Sequence, residues 1–468
     1  MIKNKTARPF GFRDKLGYLF GDFGNDFTFI LSTMLLLKFY TDVVGVSGAV
    51  VGTVMMVARF ADAFTDVTMG RICDRSPVTK QGKFKPWLRK ACLPVALSSF
   101  LIYQSSLAAA PEWFRIAWLT GTYLLWGSVF YTAVNIPYGS MASAISPDPS
   151  DRQSLSTYRT MGGTLAGLII GVGIPLFAYE KIGDQTVLRG ERVTVAAGIF
   201  SVLSIVCYLL CYFLVTERVL PEPPKEKRQY PSVGKMLANA LKNRALISII
   251  LASVVMLLAQ LTMQNMASYL FPDYYNNAAA ASVSTLSMMG GMVVAAAVAK
   301  PLAARFGKAE ISAAANLFAA GICLLLFFLR PKSVWVYIGF QALCWLGLGI
   351  FSMVNWALIT DVIDDAELKN GIREDGSVYA LYSFARKLGQ ALAAGASGWL
   401  LTAIGYDSTA AGTPQPEPVL RGIFNISTLV PALGFAALGL ILWLWYPLRK
   451  RRVAANVAAL KEKHGEKK

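Results

Sequence analysis

The sequence predicts an all-α membrane protein: twelve transmembrane helices in two six-helix bundles, with both termini on the cytoplasmic side. Three observations predict it. The chain is 55% hydrophobic but only 16% charged, where a soluble protein carries about 25% charged residues. Its apolar residues fall into long blocks, and Val193–Val215 contains no charged residue at all. Its basic residues gather in the links between blocks.

An apolar run of about 18 residues is long enough to cross a bilayer as a helix. Lipid offers no hydrogen bonds to the backbone, so many such runs imply helices rather than open strands. Spans are expected at 17–42, 46–71, 88–108, 113–144, 157–178 and 193–215, then at 245–271, 280–304, 310–329, 333–360, 378–404 and 420–447. These give a first bundle over 1–215, a central cytoplasmic link over 216–244, a second bundle over 245–447 and a cytoplasmic tail over 448–468. Several spans exceed the minimum length, which predicts tilt.

The links set the orientation. Arg71, Arg75, Lys80, Lys83, Lys85, Arg89 and Lys90 follow span 2, the central link holds Lys225, Lys227, Arg228, Lys235, Lys242 and Arg244, and the tail opens Arg449-Lys450-Arg451-Arg452. All lie on the N-terminal side of the membrane for an even number of spans. The opposite links, such as Ala108–Glu112 and Gly405–Glu417, are sparse in positive charge, so both termini are placed in the cytoplasm of a bacterial-type inner membrane. The net charge of +17 is thereby loop charge facing membrane lipids, with no basic soluble domain to bind nucleic acid. Met1–Lys15 has no short apolar core or cleavage site and reads as a cytoplasmic leader rather than a signal peptide.

The link after span 2 ends Gly82-Lys83-Phe84-Lys85-Pro86, and the one after span 8 reads Arg305-Phe306-Gly307-Lys308. This echo suits a half-to-half repeat with a substrate site near the midplane. There is no P-loop for ATP and no GxSxG or HExxH signature, so the chain is read as a transporter and not an enzyme, without a cofactor. The six cysteines sit mostly inside apolar segments without paired metal spacing and read as packing residues. The single histidine, His464, lies in the tail, so a proton pathway must use carboxylates.

Ionisable residues inside a span are functional candidates, because a charge near the bilayer centre costs about 3 kcal/mol or more. Span 2 carries Arg59, Asp62 and Asp66 on one helical face. The two carboxylates are one turn apart and repel, so they share a proton or hold a cation. The bland reading, an Arg59–Asp62 packing pair, leaves the second aspartate unexplained. Asp22 and Asp26 share a face of span 1; the first is nearer the cytoplasm and suits a local pair, the deeper Asp26 a pocket. Tyr131, Asn135 and Tyr138 share a face of span 4 with Thr132 beside it. Their groups can recognise sugar hydroxyls or bond between helices. Pro137 is expected to kink that span. Arg159 opens span 5. In span 11, Arg386 and Lys387 are adjacent and face different ways. Trp356 of span 10 could stack on a sugar ring or simply pack.

These residues fall in a pattern. Gly21-Asp22-Phe23-Gly24-Asn25-Asp26, Phe39-Tyr40-Thr41-Asp42-Val43, Arg59-Phe60-Ala61-Asp62-Ala63-Phe64-Thr65-Asp66, Gly82-Lys83-Phe84-Lys85-Pro86-Trp87, Asn135-Ile136-Pro137-Tyr138, and Glu374-Asp375-Gly376-Ser377 leading to Arg386-Lys387 together resemble the glycoside–pentoside–hexuronide:cation symporters of the major facilitator superfamily, the family of melibiose permease. The resemblance covers nearly the whole chain. It implies the major facilitator fold, a functional monomer, and alternating-access symport of a small sugar or sugar derivative with a proton or sodium ion. It implies a cation site at Asp62, Asp66 and Thr132, with Thr65 beside it, and a metal role for Asp62 and Asp66 only with sodium. It implies a substrate site including Asp26, Arg159 and Lys387, to which Tyr131, Asn135, Tyr138 and Trp356 are added as candidates.

Two departures bear on specificity. Thr65 stands where the sodium-using permease has asparagine, which leans toward protons. Asn135 stands where that permease has a sugar-binding aspartate, and Gly139 where it has a tryptophan. The pocket has lost a negative charge but kept Arg159 and Lys387, which leans toward an acidic or sulfonated sugar over a neutral glycoside. Transport of amphiphiles such as lysolipids on the same fold is the alternative, favoured by a wide apolar cleft and disfavoured by polar residues at Asp26, Asn135 and Arg159.

Overall fold

The computed structural model describes residues 2–3, 8–79, 81–183, 185–220, 243–370, 375–408 and 414–463. Most of the central link and Glu374 lie outside them, as does His464. Two compact units are present. The first comprises Met1–Arg228 with Ser397–Pro416, the second Gln229–Ala396 with Glu417–Lys468. The end of span 11, from Ser397, and the segment after it to Pro416 belong with the first unit.

Long helical elements occupy all twelve expected spans. Among the described residues nine are long and apolar enough to cross a membrane. Spans 3, 4 and 11 are helical too but more polar or interrupted. Span 3, Lys85–Ile102, opens with Lys85, Arg89 and Lys90. Span 4 is built from Glu112–Leu124, a π-helical turn at Leu125–Tyr131 and Thr132–Ile145. Span 11, Asp375–Ala403, carries Arg386 and Lys387 at its middle.

In the first unit span 1, Phe12–Phe39, packs against span 5, Pro149–Phe177, and span 6, Gly190–Leu214. Span 2, Gly48–Arg75, lies along the π turn and second half of span 4. Chain ends are set by local chemistry. Gly45 takes φ of 75° after span 1, where a left-handed residue closes a helix without a Cβ penalty. Asp148 accepts from the Ser150 N–H at 2.7 Å, with Pro149 at the first helical position of span 5. The Phe39–Val43 motif ends span 1: the Asp42 carboxylate meets Lys38 Nζ at 2.6 Å and the Tyr406 hydroxyl at 2.9 Å.

In the second unit span 8, Ala279–Phe306, packs on span 10, Val334–Asn370, while span 9, Lys308–Leu329, packs on span 10 and on span 12, Glu417–Leu440. Span 7, Arg244–Tyr269, is capped by Asn243, whose amide oxygen accepts from the Ala245 and Leu246 N–H groups. All six cysteines are free and buried.

Three features were not expected from sequence. The leader is tied down, with Ile2–Lys3 pairing antiparallel to Val219–Leu220. Tyr179–Ile182 and Gln185–Leu188 form a hairpin between spans 5 and 6. The tail is helical over Lys450–Lys463 and docks on span 10, where Asp365 receives Asn456 Nδ2 at 3.1 Å and Arg452 Nε at 3.6 Å.

The link after span 2 is held by one residue from far along the chain. Glu217 is buried, and its carboxylate accepts the N–H groups of Lys83, Phe84 and Lys85 at 2.7, 2.9 and 2.7 Å. Those N–H groups open span 3 and have no helical acceptor. Gly82 sits at φ +117°, and a Cβ there would lie 2.5 Å from the Glu217 carboxyl carbon. Glu217→Ala strands three donors, at about 1–3 kcal/mol for each that water cannot reach. The purified protein should melt several degrees lower; an unchanged melting temperature would show that the clasp contributes nothing.

Candidate functional site

Three polar clusters interrupt the apolar bundles. The first joins spans 2 and 4. The Asp62 carboxylate receives the Ser128 hydroxyl at 2.5 Å and Arg59 Nη1 at 3.5 Å. The Asp66 carboxylate, one turn on, receives the Thr132 hydroxyl at 2.9 Å. Ser128 and Thr132, four apart along span 4, each reach an aspartate also four apart on span 2, as residues on one helix face do; Ser128 lies within the π turn and Thr132 just after it. The helix runs on through Pro137, so the irregularity of span 4 lies at Leu125–Tyr131, before the proline. Arg59 is held by the Phe29 ring, 4.7 Å from its guanidinium carbon, and Phe29 stacks in turn on Tyr131. The Thr65 hydroxyl bonds back to the Asp62 carbonyl of its own helix at 3.2 Å.

The cluster thus sets two carboxylates and two hydroxyls on facing helices, an oxygen-only donor set of the kind a hard cation or a proton uses. Among the described residues no group of three or more His, Cys, Asp or Glu side chains is placed to hold a metal ion. Ser128 went unremarked in the sequence because a lone serine in an apolar helix reads as packing.

The second cluster joins spans 1, 4 and 5. Arg159 Nε donates to Asp22 at 2.9 Å. Asp22, nearer the cytoplasm, is thus in a local ion pair. Its guanidinium lies over the Tyr138 ring at 5.2 Å. Tyr138 is fully buried, stacks on Tyr18 with ring centroids 4.6 Å apart, and exchanges hydrogen bonds with it: each hydroxyl donates to the other's backbone carbonyl. Tyr138 therefore supports Arg159 from beneath. Asp26 and Asp22 both lie against Gly163 of span 5, where a Cβ would stand 2.4 Å from Asp26 Oδ2 and 3.1 Å from Asp22 Oδ2. Gly139 lies beside Arg159, with space for a Cβ 3.6 Å from its Nη1. Asn135, half-buried on the next turn, makes no hydrogen bond among the described residues. Tyr18 and Gly163 were not singled out in the sequence, since neither carries a charge into the membrane.

The third cluster belongs to the second unit. Trp356 of span 10 meets Tyr382 of span 11 edge to face at 5.3 Å. Tyr382 is buried and fixed by Ser253 at 2.9 Å and by the Asn355 amide. The Arg386 guanidinium lies 5.9 Å from the centres of both rings. Lys387, the next residue, is half-buried.

The family model described as MFS/sugar transport protein matches residues 17–450. An uncharacterised symporter of Bacillus subtilis (strain 168) is 30% identical, the match covering 99% of this chain and 98% of that one. A putative sulfoquinovose importer of Escherichia coli (strain K12) is also 30% identical, over 98% of this chain and 96% of its own. Among solved structures, a nucleoside transporter superposes with a TM-score of 0.64 at 14% identity, covering 91% of this chain and 99% of that one.

Proposed function

The chain belongs to the MFS/sugar transport protein family, and from that premise we propose that its first unit couples a cation at Asp62 and Asp66 to a sugar derivative bound beside Asp26 and Arg159. The protein is a multi-pass inner-membrane symporter for a sugar derivative, a transporter and not an enzyme by family. The observation that carries the coupling assignment is the pairing of Asp62 with Ser128 and of Asp66 with Thr132 across two helices. Charge on the two aspartates strains that arrangement by mutual repulsion. A bound cation relieves it and favours the state that binds substrate, and the substrate favours cation binding to the same degree.

The favoured ion is the proton. The Thr65 hydroxyl is turned to its own helix, which removes a neutral oxygen from the shell that a sodium ion would draw around itself, while a proton needs only a carboxylate. The favoured substrate is an acidic sugar. Arg159 keeps a partly exposed guanidinium above Tyr138, and guanidinium binds carboxylate and sulfonate oxygens through paired donors. A relative named as a putative sulfoquinovose importer is consistent with a sulfonated sugar. The polar second cluster gives the amphiphile alternative no support.

The test is uptake into proteoliposomes of labelled glucuronide, sulfoquinovose and xyloside under an imposed proton or sodium gradient. Acidic-sugar uptake driven by the proton gradient, with substrate-induced alkalinisation outside, is the expected outcome. Sodium-stimulated uptake at fixed pH without alkalinisation would reverse the ion assignment. Labelling of a cysteine placed at 227 from outside the cell would overturn cytoplasmic placement of the central link.

A further inference from the structure

Arg386 differs from the other membrane-embedded cations whose contacts are given above. Arg59 is paired with Asp62, Arg159 with Asp22 and Lys38 with Asp42. Among the described residues no carboxylate pairs with Arg386; its recorded partners are the Trp356 and Tyr382 rings. It stands near the middle of span 11, eleven residues after Asp375 and seventeen before Ala403. A guanidinium at that depth faces water or the bundle interior, because facing lipid is costly. Trp356, whose ring lies beside it, is 46% exposed near the middle of span 10.

The pair rests on a rigid base. Tyr382 has no exposed surface and its hydroxyl is held by Ser253 and Asn355 from spans 7 and 10. The Asn355 amide oxygen, also buried, has no hydrogen-bond partner, an acceptor left over for a hydroxyl or a water. The site therefore offers a flat aromatic face, a planar cation with unused donors, and a neutral acceptor. Sugar rings lie on aromatic faces, and the guanidinium fork fits a two-oxygen anion, not an isolated hydroxyl. The two rings, each 5.9 Å from the guanidinium carbon, are close enough to stabilise the cation without occupying its N–H donors.

We propose that Trp356 and Arg386, seated on Tyr382, form a subsite that takes the carboxylate or sulfonate group of an acidic sugar, with Arg386 setting the preference for acidic over neutral substrates. The proposal rests on the symport reading above; it gives the anion contact to Arg386 in place of Arg159, whose charge is already met by Asp22 at 2.9 Å, and not to the neighbouring Lys387.

The experiment compares binding of glucuronic acid, 6-deoxy-6-sulfoglucose and glucose to purified full-length protein in detergent by isothermal calorimetry. The variants are Arg386→Gln, Arg386→Lys, Lys387→Gln and Trp356→Phe, each checked for a monodisperse elution profile. The wild type is expected to bind at least one acidic sugar tenfold or more tighter than glucose. Arg386→Gln should bring that ratio to near unity, and Arg386→Lys should recover part of it, because lysine keeps the charge but not the planar fork. Lys387→Gln, like Trp356→Phe, should weaken binding of all three sugars alike and so keep the ratio. A preference for the sulfonate alone or the carboxylate alone supports the subsite and identifies the anion. An acid preference that survives Arg386→Gln, or is lost in Lys387→Gln instead, overturns the subsite and leaves sugar symport standing. A wild type that binds only glucose overturns the subsite in the same way. Absence of binding by all three sugars, together with no uptake of any sugar into proteoliposomes, overturns the symport reading and this proposal with it.

Discussion

Asp62→Asn and Asp66→Asn should each reduce accumulation to the equilibrium level while leaving a folded protein. Asparagine keeps the size of the side chain and can still accept from Ser128 or Thr132, so the contact between spans 2 and 4 survives. It cannot carry the charge that a proton or cation neutralises. Substrate counterflow, which needs no net ion movement, should persist, so the loss falls on coupling and not on substrate passage. The readout is gradient-driven accumulation against exchange in the same proteoliposomes. Full accumulation by both variants would remove the pair from the coupling site. Ser128→Ala gives a graded companion: it removes one hydroxyl from Asp62 and should shift the pH or sodium dependence of uptake without abolishing it.

Gly163→Ala should lower uptake by about tenfold to a hundredfold, the cost expected when a functional group is displaced by an ångström or so. The new methyl would stand 2.4 Å from Asp26 Oδ2 and 3.1 Å from Asp22 Oδ2, inside contact distance of both. One carboxylate must move, and with Asp22 goes the partner of Arg159. Gly173→Ala is the control on the same helix, since a Cβ there meets nothing within 4 Å, and it should transport normally. Equal uptake by the two variants would show that the Asp26 and Asp22 positions do not govern transport. Thermal unfolding separates a displaced carboxylate from general overpacking, which costs about 1–3 kcal/mol of stability.

The spans were legible because a bilayer asks for one thing that sequence states openly, a long run without charge. Val193–Val215 declared itself, as did the basic links. Span 3 opens with three basic residues in its first two turns and was legible from the largely apolar stretch after Lys90. What sequence could not state was which small polar side chain of one helix meets which charge on another. Asp62 and Asp66 came forward by type and spacing and Thr132 through the family resemblance, but Ser128, a lone serine in an apolar run, did not. The pairing of Arg159 followed the same logic: Asp22 and Asp26 share a face, and only packing of span 1 on span 5 decides which one Arg159 reaches. Arg386 and Lys387 are adjacent, so periodicity separates their directions by about 100° without saying which one meets an aromatic face. The helical tail escaped because Lys450–Lys463 is too polar for a span, and its anchor, Asp365, lies far away on span 10.

The π turn at Leu125–Tyr131 also governs how this chain lines up with its relatives. A π turn holds one residue more than the α-helical turn it replaces. A relative whose helix is regular here matches this span only across a one-residue gap. With the gap before Ser128, Ser128 and Thr132 keep their counterparts. With the gap after Tyr131, Ser128 is matched to a position about 100° around the helix, while Thr132 still agrees. Letter identity at Thr132 is therefore compatible with two different partners for Asp62, and roles transferred along this span are correctly assigned only when the gap is placed by helical geometry.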